Sequence, residues 1–348
     1  MTPTPADGGS LGACTASAAD GIAIAETDVY GGAPFALGYP PYAIDGCRLA
    51  YVAAEAGGAS GRLLLRDLST LAETDLAAAA EEPRRPTVGG DVVAWEATVD
   101  GKRAVRVFAD GKTVTVTGPF DHAGEPRATA GAVVLTGWLG AADDGDTDVF
   151  LYQTGTAEVV PIATGRGQQR FADVSSAYVA YTDFAEDFDG TFNDDGSDIA
   201  DLGVFDRSSG ESLTRARIGK QAFPLIADGG KLAYLDWGLV HPEPKFSAYE
   251  LLIGEIGGSP DQDVVVDTVV TSQPYIRPTA RASVLEWVQW PPGDSATLWR
   301  RPIDLAVVAK EVAGLEGLEL FGPSASATAT VLAGRTPGGA MSLRAVER

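Results

Sequence analysis

The chain has 348 residues, of which 48 are acidic and 26 basic, so its formal net charge is −22. The acidic residues are spread along the whole length, and such a surface repels nucleic acid phosphates and anionic lipid headgroups, which argues against both as partners. The sequence has no apolar run of about 18 residues and therefore predicts no transmembrane segment.

The amino-terminal residues 1–13 are rich in Pro, Gly and Ser and predict a flexible linker in front of one domain over 14–348. We interpret the linker as the remainder of a removed leader, and we expect a periplasmic, cell-surface or secreted protein. The letters of 11–14 match a lipobox, but the apolar stretch that a lipobox requires is missing, so the match is discounted. A lipoprotein anchor on the native form is left open.

Two cysteines, Cys14 and Cys47, lie near the amino terminus. A disulfide between them would pin the amino-terminal segment to the first repeat unit, which begins at residue 42. The alternative is two unrelated buried thiols.

A short segment that ends in a small-residue turn and runs into an apolar strand occurs seven times, roughly every 40 to 53 residues. Examples are YAIDGCRLAY at 42–51 and PTVGGDVVAW at 86–95. This period indicates a β-propeller, in which each repeat is one blade. The sequence thus predicts an all-β fold, a seven-bladed propeller with four-stranded antiparallel blades.

The strands within each unit follow in a regular order. An alternating third strand, such as 104–110, precedes a more polar fourth strand, such as 113–118. The seventh unit stops at Arg348, directly after its third strand at 341–346. The apolar segment 21–27 belongs to no unit, so we expect it to pair with 341–346 and to close the ring.

The repeat resembles that of the periplasmic TolB-type propellers. In both, a proline-containing short strand, a turn, a V-A-Y strand and a D-(I/V)-(F/Y)-L-Y strand recur, and Asp148–Gln153 is the nearest match to the last of these. The resemblance covers about 21–348 and implies the fold and a location outside the cytoplasm. The chain lacks the Ser-Pro-Asp-Gly turn and has seven units where TolB has six blades, so a TolB-like partner is not transferred.

In a propeller, the loops between second and third strands and the connections between blades lie on one face, which we call the upper face. The loops predicted there are 137–147, 183–201, 236–248 and 289–296. Loop 183–201 holds eight carboxylates and no basic residue. We expect it to bind calcium through the oxygen ligands Asp187, Asp189, Asn193, Asp195 and Asp198. The alternative is a solvated acidic loop.

Arginines and both histidines also map to the upper face. The predicted ligand-binding arginines are Arg85, Arg127, Arg170 and Arg277. They would form a partial cationic ring that binds a carboxylate or sulfate, or they would tie neighbouring blades together. His122 and His241 would be metal ligands or an acid–base pair, or simply exposed loop residues.

Trp237 and Trp290 fall within the predicted loops, as does Trp138. Tryptophans in such places either form platforms for a sugar or a protein partner, or pack a long loop against itself.

The sequence shows no catalytic motif and favours a monomeric binding or scaffolding protein that engages a protein or glycan through its upper face. The alternative is a carbohydrate-active hydrolase or lyase. It would use paired carboxylates at the channel mouth, Asp183 or Asp187 with Asp236 or Glu243.

Overall fold

A computed structural model describes most of the chain. The described residues are 14, 16–25, 39–55, 61–140, 146–187, 199–227, 230–236, 247–271, 279–281, 283–289, 296–303, 308–336 and 339–348. Short 3-10 helices lie at Ala16–Ala19, Ala79–Glu81 and Pro260–Gln262.

The other elements in the described ranges are β-strands, which follow one another blade by blade. Blades 1 to 4 are β1 Tyr42–Asp45, β2 Arg48–Val52, β3 Leu63–Asp67 and β4 Glu73–Ala77; β5 Arg84–Gly89, β6 Val92–Val99, β7 Lys102–Ala109 and β8 Lys112–Thr115; β9 His122–Thr129, β10 Ala132–Trp138, β11 Thr147–Gln153 and β12 Glu158–Ala163; β13 Gln169–Val174, β14 Tyr178–Asp183, β15 Asp201–Asp206 and β16 Ser212–Arg215. Blades 5 to 7 are β17 Gln221–Ala227, β18 Lys231–Asp236, β19 Ser247–Glu255 and β20 Val264–Thr271; β21 Thr279–Arg281, β22 Val284–Gln289, β23 Thr297–Pro302 and β24 Lys310–Glu311; β25 Glu319–Ala325, β26 Ala329–Arg335 and β27 Ser342–Glu347.

The predicted seven-bladed propeller is confirmed. Each blade is an antiparallel sheet whose strands follow chain order, with four strands in blades 1 to 6 and three in blade 7 within the described residues. The first strand of every blade contacts the first strand of the next, and β25 contacts β1, so the ring is continuous. The second strands are almost wholly buried, as β6 shows from Val92 to Ala97, because they pack against neighbouring blades on both faces.

In blades 2, 3, 5 and 7 the first strand begins earlier than the sequence indicated, because a bulge lets it continue past a proline. In β5 the register shifts between Arg84 and Thr87, and Arg85 takes a left-handed φ of 48°. Proline has no N–H to donate, so Pro86 is tolerated at this bulge. The equivalent residues Glu125, Phe171 and Phe223 are also left-handed, which makes the bulge a repeated element of the fold.

One strand position links neighbouring blades repeatedly. The Thr87 hydroxyl accepts a hydrogen bond from Ala128 N at 3.1 Å, and Asp173 accepts one from Ile226 N at 2.8 Å. Between blades 7 and 1, the Ser324 hydroxyl accepts from Ile44 N at 3.2 Å. These bonds satisfy backbone N–H groups that face another blade.

The amino-terminal segment closes the ring, as expected. Gly21 N donates to Leu343 O at 2.9 Å, and Leu343 N donates to Ile22 O at 2.8 Å, so the segment lies beside β27. Ala25 N also donates to Val52 O, in blade 1. The structure joins Cys14 to Cys47, with the two Cα atoms 5.3 Å apart.

The centre of the ring is nearly filled. Tyr39 is 4% exposed and packs with Phe171 and Phe223 in one apolar cluster. The guanidinium carbons of Arg85 and Arg127 lie 5.0 and 4.9 Å from its ring centre. A cavity of about 50 Å³ is left in the channel.

Candidate functional site

A polar cavity of about 300 Å³ opens on the upper face between blades 2 and 3. This cavity, called the upper pocket below, is lined by Glu82, Arg84, Glu96, Ala97, Thr98, Gly101, Arg103, His122 and Trp138. Its volume is at the lower end of the range of small-ligand sites.

A short turn in blade 2 forms one side of the upper pocket, and the local sequence explains this turn. Residues Asp100 and Gly101 join β6 to β7, and both have positive φ values, 51° and 75°. Asp-Gly is a favoured pair for such a tight hairpin turn. The turn keeps the upper end of blade 2 short and holds Arg103 near the start of β7. Blade 3 supplies the other wall, where His122 and Trp138 pair at the end of the β9–β10 ladder.

His122 and Trp138 are stacked. Their ring centres are 5.6 Å apart with an interplanar angle of 10°, and the Arg103 guanidinium lies 5.6 Å from the Trp138 ring centre. Arg103 N donates to His122 Nδ1 at 3.2 Å, so the neutral imidazole carries its proton on Nε2. Trp138 is 6% exposed, and its indole Nε1–H has no acceptor among the described residues.

The two carboxylates of the pocket are already engaged. Glu82 Oε2 accepts from Thr98 Oγ1 at 2.9 Å and from Arg84 at 3.3 Å. Glu96 is 2% exposed, and its Oε1 accepts from Arg85 at 3.0 Å and from Glu125 N at 2.7 Å. Both carboxylates of the pocket therefore take part in hydrogen bonds within the protein.

Blades 4 and 5 carry a glutamine–aspartate clamp at the upper end of their first two strands. Gln169 Nε2 donates to Asp183 at 3.1 Å, and Gln221 Nε2 donates to Asp236 at 3.3 Å. Strand register places other residues at these positions in blades 2 and 3, namely Pro83 with Ala97 and Ala123 with Gly137. Blades 2 and 3, which form the upper pocket, therefore have small and apolar residues in place of the glutamine–aspartate pair.

The predicted arginines in the described ranges make ion pairs within or between blades and contacts in the channel. Arg85 pairs with Glu96 of its own blade at 3.0 Å, and Arg170 of blade 4 pairs with Glu125 of blade 3 at 2.6 Å. Burial alone would raise the pKa of Glu125, but the charges of Arg170 and Arg85 and the hydrogen bonds to it outweigh burial and lower that pKa to about 2. Arg127 lies over Tyr39 in the channel.

The predicted calcium ligands fall mostly outside the described residues, since Asp189, Asn193, Asp195 and Asp198 all lie there. Asp187 is 5% exposed and accepts from Ile199 N at 3.0 Å, across the ends of the acidic loop. Nearby, burial and then the charges of Glu186 and Asp183 raise the pKa of Asp201 to about 6. Within the described ranges, no group of three or more His, Cys, Asp or Glu side chains is placed to hold a metal.

Four other predicted site residues, Arg277, His241, Trp237 and Trp290, also lie outside the described residues, as does Glu243. The carboxylates proposed for the hydrolase alternative have protein partners where they are described. Asp183 accepts from Gln169, and Asp236 is paired with Arg217 at 3.0 Å. None of the helices in the described part of the chain has the length and apolar character of a membrane-spanning helix.

Sequence reasoning found His122 and Trp138 but missed Arg103 and the grouping of these residues in one pocket. Arg84 and Arg103 are separated from His122 along the chain and meet it only because blades 2 and 3 pack together. Trp138 was expected in a loop, but it is the last residue of β10, because the β9–β10 ladder extends to its pair with His122. A register alignment of the repeats would have revealed the missing clamp in blades 2 and 3.

No family model matches this chain, and no curated protein matches it in sequence. Similar solved structures include the β-propeller domain of the Trilobed protease from Pyrococcus furiosus, at 12% identity with a TM-score of 0.63, over 88% of this chain and 93% of that one. The acylaminoacyl peptidase of Pyrococcus horikoshii is 12% identical with a TM-score of 0.60, over 89% of this chain and 51% of that one. TolB from Acinetobacter baumannii is 16% identical with a TM-score of 0.47, over 74% and 61%.

This chain thus spans about half of the peptidase and less than two thirds of TolB. Similarity at these identities shows the propeller fold alone, because one fold hosts many functions.

Proposed function

We propose that this protein is an extracytoplasmic binding propeller that engages a protein or glycan through its upper face. The upper pocket is the observation that carries this proposal. It is a ligand-sized cavity, lined by charged and aromatic side chains from two blades. The channel supports a surface role as well, since Tyr39 occupies it.

The Cys14–Cys47 disulfide supports a location outside the cytoplasm. Disulfides persist in oxidising compartments and are rare where thiol reductants are abundant. Calcium bound by loop 183–201 remains part of the proposal as a stabilising ion, with Asp187, the first of its predicted ligands, next to the end of the loop through its bond to Ile199 N.

A comparison of surface variants on glycan and peptide arrays tests the binding role. The double variant His122→Ala and Arg103→Ala changes the upper pocket, and Lys112→Ala, in the hairpin of β7 and β8 at the opposite end of blade 2, is the control. We expect the wild-type protein and the Lys112→Ala variant to bind the same array members, and the double variant to lose them. Retention of those members by a folded double variant would contradict the proposal.

A further inference from the structure

The upper pocket has an excess of hydrogen-bond donors. Its carboxylates, Glu82 and Glu96, are engaged by Arg84, Thr98 and Arg85. One oxygen of each glutamate, Oε2 of Glu82 and Oε1 of Glu96, thus already accepts two hydrogen bonds from the protein. A guanidinium has five N–H groups, and the described residues give that of Arg84 a single acceptor, at 3.3 Å and on the exposed rim.

Trp138 gives a second, independent indication. Its indole Nε1–H is buried at the pocket, with the side chain 6% exposed, and has no acceptor among the described residues. An indole N–H can only donate, and a buried donor without a partner costs free energy. A ligand oxygen acceptor would satisfy it. The Nε2–H of His122 adds a third donor on the same wall.

Charge limits the class of ligand. The described glutamates of the pocket are each paired with an arginine, Glu82 with Arg84 and Glu96 with Arg85, and beside the pocket Asp121 is held by Lys102 at 3.1 Å. In a protein of net charge −22, a dianion such as phosphate would be repelled more strongly than a ligand with one negative charge.

The stacking of Trp138 also bears on the ligand. His122 stacks on its ring and Arg103 lies over it, so the indole has little free ring face for a sugar. Sugar hydroxyls donate as well as accept hydrogen bonds, and both glutamates of this pocket already accept hydrogen bonds from the protein. A carboxylate accepts only, and it suits a guanidinium flanked by N–H donors.

From this geometry we propose that the upper pocket binds the carboxylate of a peptide, with Arg84, His122 and Trp138 as donors. This inference rests on the proposed binding function and gives it a ligand class. The carboxylate is supplied by a carboxyl terminus or by an acidic side chain, two sources with one chemistry.

Calorimetry with short peptides tests the inference. The probes are acetyl-trialanine with a free carboxyl terminus, its carboxyl-terminal amide, and the amide of acetyl-Ala-Glu-Ala. Glucuronate, glucose and methyl phosphate are the other arms. We expect at least one peptide acid to bind about tenfold or more tightly than the uncharged amide, as hydrogen bonds to a charged group require. The two peptide acids together show whether the terminal or the side-chain carboxylate is preferred.

Two variants identify the site. Arg84→Gln removes one guanidinium, and Trp138→Phe removes the indole N–H while keeping an aromatic ring. Each should weaken peptide-acid binding by about fivefold or more. Arg62→Gln removes the same charge from an exposed pair with Asp75 on blade 1 and should leave affinity unchanged.

Equal affinity for acid and amide would overturn the inference, as would unchanged affinity in folded Arg84→Gln and Trp138→Phe variants. Tighter binding of glucuronate or methyl phosphate than of either peptide acid would also overturn it. If the peptide acids fail while the array members are still lost by the upper-pocket double variant, the binding function stands and only the ligand class is wrong.

Discussion

Glu125 is the residue on which blades 3 and 4 converge. It is 3% exposed, and its carboxylate accepts from Arg170 at 2.6 Å, from Phe171 N at 3.1 Å and from Thr136 Oγ1 at 3.1 Å. Its pKa of about 2 lies below the ordinary glutamate value, so the folded protein holds it ionised. A buried charge with this many partners orders the left-handed bulges on either side.

We expect Glu125→Gln to lower the free energy of unfolding at pH 7 by about 3 to 5 kcal/mol, because Arg170 loses its buried partner. In the wild-type protein, the contribution of the lowered pKa is fully present above the unfolded value near pH 4.5 and is lost as the pH falls toward 2. The shift corresponds to about 3 kcal/mol. Urea denaturation between pH 7 and pH 2.5 measures both effects.

The exposed Glu211→Gln in the hairpin of β15 and β16 is the matched control, with an expected change within about 0.5 kcal/mol. An equal loss in both variants, or an unaltered acid-side slope in Glu125→Gln, would refute the role given to this carboxylate.

For single residues, the sequence predicted the kind of contact that a side chain makes better than it predicted the partner residue. Arginines near the first strands suggested either a ligand ring or ties between blades, and the structure pairs Arg85 and Arg170 with buried glutamates. The sequence could not choose between them, because the glutamates lie in other strands. Burial and register, which only the folded ring defines, decide which carboxylate an arginine meets.

Among the elements, the closing segment has the clearest consequence for stability. Ile24 is 1% exposed and packs with Met341 and Leu343 of blade 7. Its segment is hydrogen-bonded to both β27 and the end of β2. The segment therefore joins the last blade to the first.

Ile24→Ala should lower the free energy of unfolding by about 2 to 5 kcal/mol, because it opens a cavity at the point of closure. Leu71→Ala, in an exposed turn of blade 1, should change it by less than about 0.5 kcal/mol. Urea denaturation of the non-reduced proteins gives both values. If the two variants unfold alike, the segment contributes nothing to closure.

The sequence predicted this element because residues 21–27 form an apolar segment that belongs to no repeat unit, and because the seventh unit lacks a fourth strand. The bounds of the first strands were less accurate. A proline usually marks a strand end, and only the left-handed bulge at Arg85, Glu125 and their equivalents explains why the strands continue past it.

For the whole molecule, the main physical problem is its net charge of −22. Self-repulsion of this size destabilises a compact state, and a bound cation reduces it. Loop 183–201 concentrates eight carboxylates, and Asp187 is held by Ile199 N at the base of the loop.

Addition of calcium to the chelator-treated protein should therefore raise its melting temperature once the calcium concentration exceeds the dissociation constant. The triple variant Asp187→Asn, Asp189→Asn and Asp195→Asn should lose this dependence. The matched control replaces the exposed Asp91, Asp100 and Asp110 with Asn, which removes as much charge from other turns and should retain it. If the protein melts at the same temperature with chelator and with millimolar calcium, the loop does not bind calcium and is a solvated surface.

The Cys14–Cys47 bond also determines how the ring carries mechanical force. A pull applied ahead of Cys14 reaches blade 1 directly at Cys47, through a covalent link that bypasses the 33-residue separation between the two cysteines. The hydrogen bonds of residues 21–25 lie inside that bypassed loop and bear little of the load. A tether at this end would therefore load blade 1 at Cys47 before it could separate the closing segment from β27. Reduction of the bond would place that load on the hydrogen bonds of the closing segment.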